Sequence, residues 1–212
     1  MNRKRVGIVL FNDIEVLDFC GPFEVFSAAR LNEEKRRAEP SPFDVSLISE
    51  TLAPVTTSGG MHVMPHYSFD NCPPIDILVV PGGWGTRREL NNPVMLDWLR
   101  QQAGAVETLT SVCTGSMLLG FAGLLEGLHA TTHWRSLDWM REAFPTVIVE
   151  YGQHVVSDGS VVTSAGISAG IDMALQVVAR YYGEDIAKAT AQHMEYAYPV
   201  SNERRVFVKP GR

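Results

Sequence analysis

Ala105-Val106-Glu107-Thr108-Leu109-Thr110-Ser111-Val112-Cys113-Thr114-Gly115 reads as a strand, uncharged from Thr108 onward, that ends at a thiol and passes at once into the small-residue segment Gly115 to Leu125. A buried strand that turns this sharply into a helix strains the residue at the bend, and only small side chains fit two positions before and after it, here Ser111 and Gly115. Strand, nucleophile and helix in that order form a nucleophile elbow, which predicts an α/β fold.

The segments on either side agree. Val6 to Phe11 is a short continuous apolar run without polar alternation, as expected of a central parallel strand, and Ile75 to Pro81, apolar but for Asp76, is the next buried strand. The first stops at Asn12-Asp13, and the second runs into Gly82-Gly83-Trp84-Gly85. Phe43 to Ser49 alternates as an outer strand would, and Val55 to Pro65, around Gly59-Gly60, reads as a hairpin. Val147 to Val149, Val155-Val156 and Val161-Val162 are further strands, the last two flanking the Asp158-Gly159 turn. Helices are predicted from Gly21-Pro22 to Arg30 with proline at the first helical position, and over Leu90 to Ala103, Gly115 to Leu125, Arg135 to Phe144, Ser168 to Tyr182 and Glu184 to Tyr196. Strands alternating with helices imply a mostly parallel sheet covered on both faces. A single domain is expected over 1–198, followed by a loosely held tail over 199–212.

Composition narrows the function. The 212 residues include 45% hydrophobic and 20% charged side chains, enough for one core without disulfides. A net charge of −6 gives no general attraction to nucleic acid, so a small-molecule partner is expected and nucleic acid is not. The apolar run after Met1 to Arg5 is too short for a secretion signal, and Thr108 to Leu125 is too polar in its first half to span a membrane. No membrane partner and a cytoplasmic location are therefore expected, with Cys20, Cys72 and Cys113 as three free thiols.

Cys113 is the candidate nucleophile. Unpaired N–H groups of the helix that follows it favour thiolate, and backbone N–H groups of Thr114 and Gly83 are candidate donors to an anionic intermediate. Both lie at strand C-termini, the edge where open α/β sheets bind ligands, so the loop after the first strand belongs there too. That loop, Ile14 to Pro22, carries Asp18 among apolar neighbours, where it serves either as a catalytic carboxyl or as a helix cap.

Leu17-Asp18-Phe19 with Gly21 to Phe26, Val80 to Gly83, Ser111 to Gly115, Ala130 to Trp134 and Thr163 to Gly166 together resemble the ThiJ/PfpI superfamily, over roughly Val6 to Tyr196. Within it the chain looks most like the isonitrile hydratase branch. The resemblance implies a three-layer flavodoxin-like sandwich, a homodimer and no cofactor. It also implies hydration of an isocyanide to an N-substituted formamide, with Cys113 as nucleophile, Asp18 as the carboxyl that meets it, and Thr114 as a neighbour holding substrate or water. Peptidase members carry His directly after the cysteine, where this chain has Thr114, and glyoxalase or deglycase members carry Glu at the position of Asp18. A glyoxalase-like enzyme, a redox sensor or stress protein, and a sensor domain like that of AraC-type regulators are the alternatives.

Other candidates carry less chemistry. His133 is placed second, as a substrate-binding residue or as a structural histidine at a strand end. His129 and His133 on an extended segment are about 13 Å apart, too far to share a metal, and Pro65 prevents a helix from bringing His62 and His66 together. No metal is expected. His193-Met194-Glu195 reads as helix surface, and Arg204, Arg205, Lys209 and Arg212 read as a solvated tail. Trp84, Phe19 and Trp134 are candidates to line an apolar pocket.

Overall fold

The computed structural model describes residues 3–206 and 208. In chain order, the elements are β1 (Lys4–Leu10), α1 (Val16–Ala28), β2 (Phe43–Ser49), β3 (Val55–Thr56), β4 (His62–Val63), β5 (Tyr67–Ser68) and β6 (Ile77–Val80). They continue with α2 (Thr86–Glu89), α3 (Pro93–Ala103), β7 (Thr108–Val112), α4 (Gly115–Phe121), β8 (His129–Ala130), α5 (Leu137–Ala143) and β9 (Ile148–Val149). The last are β10 (Val155–Asp158), β11 (Val161–Ser164), α6 (Ala169–Tyr182) and α7 (Glu184–His193). Seven strands form one sheet in the order β10-β11-β7-β6-β1-β2-β5, and every pairing is parallel except that of β10 with β11. Helices α1, α6 and α7 pack together on one face, with α3 and α4 against each other on the opposite side, giving the expected three-layer, flavodoxin-like arrangement.

The central strands are apolar because both faces are covered: Val6, Ile8, Ile77, Val79 and Val112 are inaccessible to solvent. Chain order reverses across the sheet between β1 and β6, whose C-terminal ends open a crevice of the kind in which α/β sheets bind ligands. The loops above it are tied together, Glu15 N–H donating to the Gly82 carbonyl at 2.9 Å. Among the described residues no helix is long and apolar enough to cross a membrane.

Several boundaries differ from the sequence expectation. The helix expected to open at Gly21-Pro22 begins six residues earlier, at Val16, and Pro22 lies inside it. Proline there removes the N–H that would bond the Asp18 carbonyl. Tight packing compensates: Gly21 abuts Ile171, and the Pro22 ring lies beside Gly170. The segment Leu90 to Ala103 is helical only from Pro93, because the Asn92 side chain accepts from Val94 N–H and Met95 N–H and sets a new N-terminus. The helices expected to run to Leu125 and Tyr196 stop at Phe121 and His193, and His193 is on the surface as expected. β9 pairs with β8 in a separate two-stranded sheet, and β5, too short to show periodicity, extends the main sheet beyond β2.

The tail is not loosely held where it is described. β10 is an edge strand with open ladder groups, and the Asn202 side chain takes them, accepting from Val155 N–H at 2.9 Å and donating to the Val155 carbonyl at 2.7 Å. Arg204, expected to be solvated, is half-buried and donates to carbonyls of Tyr151 and Thr132. Arg205 pairs with the buried carboxylate of Asp172 at 2.5 Å. Lys209 and Arg212 lie outside the described residues.

Candidate active site

Cys113 sits between β7 and α4 with φ of +57°, in the left-handed region that non-glycine residues seldom occupy. Such a conformation costs about 1–3 kcal/mol and persists only where its surroundings hold it. Here Cys113 N–H donates to the Ala165 carbonyl, and the Cys113 carbonyl accepts from the Thr132 hydroxyl at 2.9 Å and the Ser116 hydroxyl at 3.1 Å. The elbow is also locked to the end of β6, since a Cβ on Gly115 would lie 1.9 Å from the Val80 carbonyl oxygen. Thr132→Val, which removes one of the two hydroxyls, is expected to lower stability by about 1 kcal/mol, read as a drop of roughly 2–4 °C in the unfolding midpoint.

Asp18, inaccessible to solvent, lies in the first turn of α1. The capping alternative does not hold: the residue preceding the helix is Glu15, and Asp18 is inside it. Asp18 Oδ2 accepts from Gly82 N–H at 2.9 Å, whereas Oδ1 is buried without a hydrogen-bond partner, and the Cys113 thiol and the Ile167 N–H lie close to the carboxyl. Burial, reinforced by the nearby Glu15 charge, lifts the Asp18 carboxyl from its ordinary 3.8 to about 7, against the opposing pull of the Gly82, Cys113 and Ile167 contacts.

The expectation of a resting thiolate is corrected. Burial, and then the charge of Asp18, pushes the Cys113 thiol well above its ordinary value, and the Thr114 N–H and hydroxyl only partly offset this. Cys113 is mostly withdrawn from water, and α4 is a helix of two turns, too little to stabilise a charge against a neighbouring carboxylate. At neutral pH the resting site therefore holds a thiol beside a partly ionised carboxyl, and the two titrate as a pair.

Gly83 is likewise corrected as a donor. Its N–H ends on the Thr114 hydroxyl oxygen at 3.1 Å, and the Gly82 N–H is taken by Asp18, so neither is open to an oxyanion. The Thr114 hydroxyl also meets that of Thr86 at 3.0 Å, fastening the elbow to α2. The Thr114 N–H faces the sulfur instead.

Cys113, Thr114, Gly83 and His133 line one cavity of about 700 Å³. His133 Nδ1 accepts from Arg135 N–H at 3.3 Å, which leaves the ring proton on Nε2. Burial, and then the positive charges of Arg135 and Arg204, push its pKa down, so it is neutral at pH 7. Of the three aromatics expected to line a pocket, Trp84 does, whereas Phe19 is in the core and Trp134 lies outside the lining under the Arg135 guanidinium. Sequence reasoning did not place Glu15, Arg87, Arg135, Trp139 and Ile167 in the wall, to which Leu90 and Ser136 also belong. They come from separate stretches of the chain, and no one spacing joins them. Cys20, Cys72 and Cys113 are all free thiols, as expected.

A flavodoxin-like sheet with a strained cysteine at the end of a central strand and a buried carboxyl behind it defines a class of cysteine-elbow α/β proteins. The chain belongs to the DJ-1/PfpI family, whose pattern matches residues 4–180. It is 37% identical over 194 residues to the isonitrile hydratase of Pseudomonas putida, covering 91% of this chain and 78% of that protein. It is 34% identical over 195 residues to the HTH-type transcriptional regulator GbdR of Pseudomonas aeruginosa, covering 92% of this chain but only about half, 51%, of the regulator. Among solved structures, a THiJ/PfpI family protein from Pseudomonas syringae superposes with a TM-score of 0.82 at 28% identity, covering 95% of this chain and 79% of that one.

Proposed function

We propose that the protein is an enzyme that hydrates an isocyanide to an N-substituted formamide, with Cys113 as nucleophile and Asp18 as the group that moves protons. The observation that carries this reading is the pairing of a strained cysteine facing a cavity with a carboxyl of pKa about 7 that has no access to solvent of its own. The likeness to an isonitrile hydratase supports it.

Ionised Asp18 takes the Cys113 proton as sulfur bonds to the terminal isocyanide carbon, and that proton is delivered to the same carbon. The product of this half is a thioimidate, R–N=CH–S–Cys113. Water from the cavity then adds to the carbon, one of its protons reaching nitrogen. As the carbon–sulfur bond breaks, the new hydroxyl becomes the formyl carbonyl and its proton returns to the Cys113–Asp18 pair. Atoms balance without a redox partner, and the pair ends with the one proton it began with. Thr114 N–H and His133 Nε2–H are the donors assigned to steady the developing charge and orient the water.

The test mixes purified protein with cyclohexyl isocyanide and follows N-cyclohexylformamide by chromatography. Formation well above the protein-free rate is the expected result. No formamide above background, with Cys113 still open to a thiol reagent, overturns the reading.

A further inference from the structure

Two arginines, Arg87 and Arg135, line the catalytic cavity against one acidic residue, Glu15, while the carboxyl of Asp18 lies behind Cys113 and not in the lining. Among the described residues neither arginine has an acidic partner within ion-pair distance; Arg5, Arg30, Arg37, Arg180 and Arg204 share that property, but none of them lines the cavity. Both are held by stacking instead. The Arg87 guanidinium rests 4.7 Å from the centre of the Trp84 ring and 5.8 Å from that of Trp139, and Arg135 rests 4.8 Å from Trp134. Stacking on a ring face orders a long side chain without neutralising it, and leaves the in-plane N–H fork free to grip a carboxylate. Two such cations beside one cavity stand out in a chain whose net charge is −6. His133, being neutral, adds no third positive charge.

We propose that the cavity selects substrates bearing a small anionic group, and that the isocyanides it takes are isocyano carboxylates. Arg87 and Arg135 grip the carboxylate while the terminal carbon meets Cys113. The reaction in this statement rests on the hydratase reading; the recognition of an anion does not.

Two arms separate these parts. In the first, Cys113 is alkylated at pH 8.5 and low salt by iodoacetate or by iodoacetamide, the sulfur displacing iodide in each case. Labelling is read on the Cys113 peptide by mass spectrometry, because Cys20 and Cys72 are also free. The iodoacetate-to-iodoacetamide rate ratio, divided by that of a small free thiol, is expected to exceed one by roughly tenfold, and to fall towards one in 0.5 M salt and in Arg87→Gln/Arg135→Gln. In the second arm, isocyanoacetate is compared with its methyl ester as substrate. The acid is expected to have the higher kcat/KM, mainly through KM, and to lose that advantage in the double variant.

A normalised alkylation ratio of one that the double substitution leaves unchanged overturns the anion site. So does equal hydration of acid and ester by the unaltered protein. A raised ratio that collapses in the double variant, with neither isocyanide hydrated, upholds the anion site and removes the hydratase reading instead.

Discussion

Cys113→Ala is expected to bring formamide production down to the uncatalysed rate, a loss of about 10⁴-fold or more, because the route through a covalent thioimidate disappears with the sulfur. The fold should survive. The elbow is held by backbone groups of residue 113 and by the Thr132 and Ser116 hydroxyls, none of which the substitution touches. Unfolding midpoints of the two proteins, measured alongside chromatographic assays at matched concentration, check both halves. Formamide from the alanine variant at more than a few per cent of the unaltered rate would rule out covalent catalysis at this cysteine.

Asp18→Asn has the second large effect, and it moves activity and stability in opposite directions. Asparagine can still accept the Gly82 N–H but cannot take the thiol proton, so kcat/KM should fall by about 10²–10⁴. In the unaltered protein kcat/KM should rise with pH through about 7 as Asp18 ionises, and that limb should be missing from the residual activity of the variant. Stability follows the same titration with the opposite sign. A carboxyl raised from 3.8 to about 7 is protonated in the folded chain over a window in which the unfolded chain has already released the proton. Its contribution is fully present below pH 3.8 and is lost as pH rises through 7, a total of about 4 kcal/mol. Asparagine has no such loss, so urea unfolding should find the variant gaining on the unaltered protein between pH 5 and pH 8.5. A constant difference between the two across that range would refute the raised carboxyl.

The elbow was legible because its constraints are local: Ser111 and Gly115 announce a turn that only small neighbours allow, and continuous apolar runs announce strands covered on both sides. Asp18 was legible as a residue near the site, but its place on a helix was not. Pro22 looked like a helix start, and the packing that tolerates it inside α1 comes from Ile171 and Gly170, about 150 positions away. The same distance hid the fate of the tail, which is held because β10 is an edge strand in need of partners. The resting charge of Cys113 could not be read from a helix that follows it, because burial and Asp18 outweigh that helix. Nor could the cavity wall be assembled in advance: Arg87 sits on the short helix α2 after a glycine cluster and Trp139 on α5, about 50 positions on, and only the fold brings them together.

Asp18 has no contact with solvent, and Cys113 has 6% of its surface exposed, on the cavity side. On the hydratase reading, a substrate in that space stands between the pair and bulk water, and the hydrogen that reaches the isocyanide carbon is the one the pair already held. In heavy water the formyl position of the product would record that occupancy. On the same reading, the pair takes up its proton from the surroundings between turnovers and hands it to carbon within them.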